Sequence, residues 1–295
     1  MEETKFGPVR FIPGDNRGRY PFCHSLFVEG TRKVLIDPAS NESGLAALRE
    51  DPGVDEVWLS HYHEDHFLYI DLFGDKTLGM SALDAPALAS LESLLDYYDV
   101  PDEKERAAWG EFLRTYFSFR PRTADRFLQN GEVVDLGSVT VEVIATPGHT
   151  TGHLSFFVRE EGLLFVGDYD LTPFPYYGDR DSEIDDTIAS VERLRNVPAK
   201  VLISPHDKGI YREGFDGLWD RFLAVIDERE ARLVELLAQP RTMEEIVEAR
   251  IVYGKPREPK LFFDYGEMCI IRKHLKRLVA EGRAKKDGER WALVG

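Results

Sequence analysis

The segment Ser60-His61-Tyr62-His63-Glu64-Asp65-His66 constrains this chain more than any other. It follows the apolar run Val57-Trp58-Leu59 directly, so three imidazoles and two carboxylates sit where a strand gives way to a turn. In an extended segment, residues two apart point the same way. His61 and His63 can therefore grip one cation, while Asp65 and His66, on the following turn, address a neighbouring one. The spacing does not suit the helical His-Glu-x-x-His arrangement, which needs its histidines four apart.

Three further strand ends carry the same chemistry. Val141 to Ala145 leads into Thr146-Pro147-Gly148-His149-Thr150-Thr151-Gly152-His153, where glycines let the backbone turn tightly and bring His149 close to an ion. We expect His149 to be a ligand and His153, at the start of the next strand, to be structural. Leu164-Phe165-Val166-Gly167-Asp168 ends in a carboxylate able to bridge two cations, and Leu202-Ile203-Ser204-Pro205-His206 ends in an imidazole. Either of the last two motifs alone means little; the four in this order mean much more.

The remaining pattern is a strand-rich mixture of α and β. Strands are predicted at Ser25 to Val28, Lys33 to Asp37, Glu56 to Ser60, Val139 to Ala145, His153 to Val158, Leu163 to Gly167 and Val201 to Ser204. Helices are predicted at Ser43 to Glu50, Ala85 to Tyr98, Glu103 to Tyr116, Asp185 to Arg195 and Phe215 to Leu237. Tyr97 to Phe119 holds seven aromatics and no strand signal. It reads as a helical insert whose rings form their own core or line an apolar pocket.

Charge divides the chain. There are 37 Lys and Arg against 53 Asp and Glu, a net of −16, which argues against a general polyanion-binding surface. From Arg241 onward, 13 basic residues face 9 acidic ones, a net of +4 where the first 240 residues carry −20. In that tail, Thr242 caps a short helix with Glu245 three residues on. A helix from about Glu267 to Glu281 follows, then a hairpin with Asp287-Gly288 at its turn. The pattern predicts a small winged-helix-like unit at residues 226–295, after a catalytic domain at 1–225 with its insert at about 85–125. Arg272, Lys273, Lys276 and Arg277 offer a phosphate-facing surface there, a solvated helix face, or a homodimer contact.

The longest apolar run, Phe222 to Ile226, is far short of a membrane span, and the polar start Met1-Glu2-Glu3-Thr4-Lys5 lacks an apolar signal segment. Two distant cysteines, Cys23 and Cys269, suit a reducing compartment. The expectation is a soluble, cytoplasmic protein.

With these motifs quoted, the sequence resembles the metallo-β-lactamase superfamily over roughly residues 8 to 225. The resemblance implies an α+β fold, a four-layer αββα sandwich with a two-metal site at one edge. It implies that His61, His63 and His149 hold the first ion, that Asp65, His66 and His206 hold the second, and that Asp168 bridges. Asp37, closing Val34-Leu35-Ile36, would orient a ligand histidine. The ligand set looks more like the glyoxalase II, lactonase and nuclease-related branches than the true β-lactamases, and the tail resembles that of lactamase-like-2 hydrolases. Two features depart from the common pattern: Phe67-Leu68-Tyr69 after the first motif, and Pro205-His206-Asp207 at the last ligand.

The chain lacks a Gly-x-Ser-x-Gly elbow and a P-loop, so the metals must do the chemistry. The expected activity is hydrolysis of a small ester-like bond by a dinuclear metal-bound hydroxide, with Asp65 and Asp168 as catalytic carboxylates and thioester or lactone favoured. The cofactor would be two divalent metal ions, with zinc as the default and iron or manganese also suited. The partner would be a small-molecule substrate with an apolar acyl group, with no membrane and with nucleic acid not favoured. The rivals are a phosphodiesterase or nuclease using the basic tail and a mononuclear-iron persulfide dioxygenase.

Overall fold

Strand residues here are apolar on both faces because helices cover one side of each sheet and the other sheet covers the opposite side. The computed structural model describes residues 2–294. The first sheet runs in sequence order through β1 (Thr4–Phe6), β2 (Val9–Ile12), β3 (Ser25–Val28), β4 (Val34–Ile36), β5 (Glu56–Trp58), β6 (Thr77–Met80) and β7 (Arg126–Phe127). It is antiparallel up to β4 and parallel from β4 to β7. The second is built from β8 (Val133–Asp135), β9 (Thr140–Ala145), β10 (Leu154–Val158), β11 (Leu163–Phe165), β12 (Val201–Ile203) and β13 (Ile210–Tyr211), in the order β13-β12-β11-β10-β9-β8.

Three packed clusters define four layers. Leu26, Val28, Val34, Ile36 and Trp58 of the first sheet meet Val141, Val143, Phe156, Phe165 and Ile203 of the second. On the outer side of the first sheet, Phe27, Leu35, Val57 and Leu78 pack against α1 (Glu42–Leu48) and the insert helices α3 (Leu91–Tyr97) and α4 (Glu103–Tyr116). The short α2 (Glu64–Phe67) lies between α1 and the insert along the chain. On the outer side of the second sheet, Phe157, Leu164 and Leu202 pack against α5 (Ile184–Arg195) and α6 (Phe215–Leu236). This is the expected αββα order.

Boundaries differ from expectation at several places. The helix predicted over Ala85 to Tyr98 is broken at Ser90, whose side chain leaves the preceding 3-10 turn (Ala85–Ala89) and caps α3 by accepting the Ser93 N–H. The division expected between residues 225 and 226 falls inside α6, which runs unbroken because its first half packs on the second sheet and its last turns on the C-terminal core of Leu233, Leu237, Ile246 and Leu275. That core is closed by α7 (Met243–Glu248), opened by the predicted Thr242/Glu245 capping box, and by α8 (Lys260–Ala280). A small sheet completes it: β14 (Arg241–Thr242), β15 (Ala284–Asp287) and β16 (Arg290–Leu293), with β16 central. α8 begins at Lys260 rather than near Glu267. Its first turns are apolar because Phe262 packs on Trp109 of the insert, with ring centroids 4.9 Å apart.

That contact makes α8 a wall of the main body. Each of the four basic residues on its second half is engaged: Arg272 with Asp99, Lys273 with the Arg180 carbonyl, Lys276 with Glu183, and Arg277 with Asp185 and Glu230. The face expected to be solvated is so in part, with Arg272 and Lys276 exposed, and its charges are also paired within the chain. Among the described residues, no helix is long and apolar enough to cross a membrane.

Candidate metal centre

The five strands that carry the sequence motifs end at one edge of the sandwich. β4 delivers Asp37, β5 delivers His61 to His66, β9 delivers His149, β11 delivers Asp168 and β12 delivers His206. All seven residues expected as ligands come together there. Donor atoms of His61, His63, His149 and Asp168 lie within 4.8 Å of one another, as do those of Asp65, His66 and His206.

The outward nitrogen of each imidazole is tied to a partner, which turns the other nitrogen inward. His61 Nδ1 is 2.9 Å from Ser60 Oγ, and His149 Nδ1 donates to the Tyr176 carbonyl at 2.9 Å. His63 Nε2 donates to Asp179 Oδ2 at 2.7 Å, His66 Nδ1 to Asp37 Oδ2 at 2.8 Å, and His206 Nδ1 to the Gly18 carbonyl. Inside, His149 Nε2 is 2.8 Å from His63 Nδ1 and 3.2 Å from His61 Nε2. Asp168 spans the two clusters. Its Oδ2 is 3.3 Å from His149 Nε2, and its Oδ1 is 2.9 Å from His66 Nε2 and 3.3 Å from His206 Nε2. Asp65 Oδ2 stands 3.7 Å from His206 Nε2.

These residues fit two cations. Imidazole nitrogens and carboxylate oxygens are donors that divalent transition-metal ions take. Crowded as they are, they need positive charge between them. His66 Nε2 and Asp168 Oδ1 are buried and, though 2.9 Å apart, do not meet in hydrogen-bonding geometry. Burial pulls His63 and His206 down, but Asp179 and Asp168 respectively override it and hold each at about 9. Burial lowers His149 to about 4 and takes His61 well below its usual range. Burial also works against the Asp168 carboxylate, yet His66, His149 and His206 hold it well below the usual carboxylate value.

His153 takes the structural role expected of it. Its Nε2 accepts the Asp168 N–H at 3.0 Å and its Nδ1 meets Thr146 Oγ1 at 2.7 Å, so it holds Asp168 by the backbone. Asp37, at φ +52°, takes the Ser60 N–H and hydroxyl as well as His66, as expected of a residue that orients a ligand.

Sequence reading misses Asp84 and Asp179. Asp84 is fully buried and accepts from Thr150 Oγ1 (2.6 Å) and the Gly152 N–H (2.7 Å), pinning the loop that presents His149; burial pushes it up to about 7 against those two bonds. Asp179 lies in a stretch without regular structure, and no local pattern marks it. Glu64 escapes the sequence reading as well. Its carboxylate takes the hydroxyls of Tyr20, at 2.8 Å, and of Tyr98. Most insert aromatics pack on one another and on α8, while Tyr98 stacks on His63 at 5.6 Å and Tyr176 stands edge-on to His63 and His149 at 5.9 and 5.8 Å.

Comparison with known proteins agrees with this geometry. A family model described as the metallo-beta-lactamase superfamily matches residues 19–206. A hydroxyacylglutathione hydrolase of Acidiphilium cryptum is 29% identical over 136 residues, 44% of this chain and 42% of that protein. A thioesterase of Emericella nidulans is 26% identical over 145 residues, 47% of this chain and 33% of that protein. A beta-lactamase-like protein 2 homolog of Caenorhabditis elegans is 23% identical over 252 residues, 81% of this chain and 72% of that protein. The chain thus matches less than half the length of the hydrolase and of the thioesterase. Among solved structures, a metallo-beta-lactamase family protein from Thermus thermophilus superposes with a TM-score of 0.72 at 22% identity, covering 97% of this chain and 99% of that one. At that identity the likeness is one of fold.

Proposed function

Because this chain belongs to the metallo-β-lactamase superfamily, we propose that it is a metal-dependent hydrolase of a small thioester or related ester-like bond. The observation that carries the reading is Asp168, whose two oxygens face two separate imidazole clusters. His61, His63 and His149 would hold one cation and Asp65, His66 and His206 the other, with Asp168 shared. Bound there, two divalent ions supply Lewis acidity and bring the pKa of water near neutrality.

The chain's own residues do the rest. Asp168 is fixed from behind by its N–H on His153, so its carboxylate keeps one orientation as charge builds on the reacting carbonyl. Asp65, at the first turn of α2, accepts a hydrogen bond from the attacking water and aligns it. Tyr98 and Tyr176 flank His63 with apolar faces, which suits an acyl group lying beside the reacting centre and keeps bulk water from that side. The named activities of the hydroxyacylglutathione hydrolase and thioesterase relatives lend weak support to a thioester, since identity is low and coverage partial. His66 and His206, both turned inward, favour two ions over one iron. We read the C-terminal unit as winged-helix-like from α7, α8 and the β15–β16 hairpin. Its engaged basic helix face speaks against a nucleic-acid substrate.

The test is parallel hydrolysis of a chromogenic acyl thioester and a chromogenic phosphodiester by protein loaded separately with zinc, manganese and iron. We expect thioester turnover that vanishes in a folded Asp168→Ala variant, with zinc the active metal. Phosphodiester turnover alone, or oxygen uptake with one iron, would overturn the proposal.

A further inference from the structure

The loop from Pro175 to Glu183 has no helix or strand, yet it holds two of the three imidazoles in the first cluster. The Tyr176 carbonyl takes the His149 Nδ1–H, and the Ser182 hydroxyl donates to the His149 carbonyl. Asp179, 2% exposed, takes the His63 Nε2–H at 2.7 Å, and the same oxygen takes the Tyr62 hydroxyl. We propose that Asp179 is the positioning residue of the first metal site: it fixes the His63 ring so that Nδ1, and not Nε2, faces His61, His149 and Asp168. The inference rests on the reading of this cluster as a metal centre.

Geometry makes an outside acceptor necessary. His61 and His149 turn their Nε2 atoms to the cluster, whereas His63 turns Nδ1, which lies 2.8 Å from His149 Nε2. An imidazole that ligates through Nδ1 must carry its proton on Nε2, and a buried Nε2–H needs a partner. Asp179 is that partner, and as a carboxylate it also makes the ring a better electron donor.

The loop does not hold itself. Arg229 of α6 donates to the Pro175 carbonyl and to Tyr177 Oη (3.1 Å), and Lys273 of α8 donates to the Arg180 carbonyl at 2.9 Å. Tyr177 Oη meets His274 Nε2 at 3.0 Å, and Lys276 pairs with Glu183. The C-terminal helices therefore buttress the first metal site through Asp179 from outside the sandwich, which gives the tail a role without any ligand of its own.

The experiment is competition of zinc against a chromophoric chelator in the full chain, reading the two equivalents separately, for wild type, Asp179→Leu, Asp179→Asn and Tyr62→Phe. Asp179→Leu should weaken one equivalent by roughly 10- to 100-fold and leave the other unchanged. Asp179→Asn, whose amide oxygen still accepts, should weaken it less, and Tyr62→Phe, which removes only the competing donor, should bind as wild type. Nitrogen-15 histidine spectra of the zinc-loaded wild type should show His63 protonated at Nε2, a signature that needs no variant to fold. Wild-type binding by folded Asp179→Leu, equal weakening of both equivalents, or a His63 protonated at Nδ1 would overturn the proposal. A wild type that binds no zinc would overturn the metal-centre reading and this inference together.

Discussion

Asp37 Oδ2 lies 2.8 Å from His66 Nδ1, and the same buried carboxylate takes the N–H and the hydroxyl of Ser60, so one side chain sets the ring of a candidate ligand and the turn that carries the first motif. Asp37→Ala should therefore do two things. It should weaken binding of the second cation by roughly 10- to 100-fold. It should also destabilise the fold by about 1–3 kcal/mol for each buried Ser60 donor left without a partner. Chelator competition reads the first effect and thermal unfolding of the metal-free protein the second.

Gly167 has φ +57°, and a Cβ added there would stand 2.3 Å from His153 Nε2, the atom that accepts the Asp168 N–H. Gly167→Ala should cost about 1–2 kcal/mol from the backbone conformation alone, before the displacement of His153 is counted. Since the displaced ring is what fixes Asp168, kcat should fall further than KM rises, and steady-state kinetics would show that split.

Glu230 anchors the C-terminal helices. His274, whose Nδ1 stands 3.9 Å from Glu230 Oε2, holds its carboxyl at about 2 against a modest burial penalty, with Arg283 and Arg277 acting in the same direction. A carboxyl lower in the folded state than in the unfolded one stabilises the fold above its unfolded value, about 4.5, and loses that contribution as pH falls toward about 2. Wild type should lose thermal stability between those limits more steeply than Glu230→Gln. Parallel melting curves of the two metal-free proteins would show the difference.

The basic face of α8 is engaged by Asp99, Glu183, Asp185 and Glu230. Reversing the charge of the exposed Lys276 should cost at most about 1 kcal/mol, and retention on single-stranded RNA or duplex DNA should be the same in both proteins. A salt-sensitive retention lost in Lys276→Glu would show a nucleic-acid surface after all.

The order of the candidate ligands is legible in the sequence because each follows a short apolar strand, and the strand pattern and donor chemistry are both local. The αββα order is implied by the family resemblance that the candidate ligand motifs carry, and strands apolar on both faces agree with it. Other features depend on partners distant in sequence. β6 escapes the pattern because Gly79 interrupts its apolar residues, and only the fold shows that a Cβ there would lie 2.8 Å from Trp58 Cδ1. The early start of α8 is hidden because its partner Trp109 lies in the insert, and Asp179 because its partner His63 is 116 residues away. Asp84 sits in a turn that looks like any other. Its importance comes from Thr150 and Gly152, which only the fold brings to it.

The most direct measurement is hydrolysis of an acyl thioester followed as zinc is added back to metal-free protein in counted equivalents. A centre in which Asp168 joins two clusters predicts that activity rises to a plateau at two bound equivalents and disappears on chelation. Full activity at one equivalent, or none at two, would contradict it.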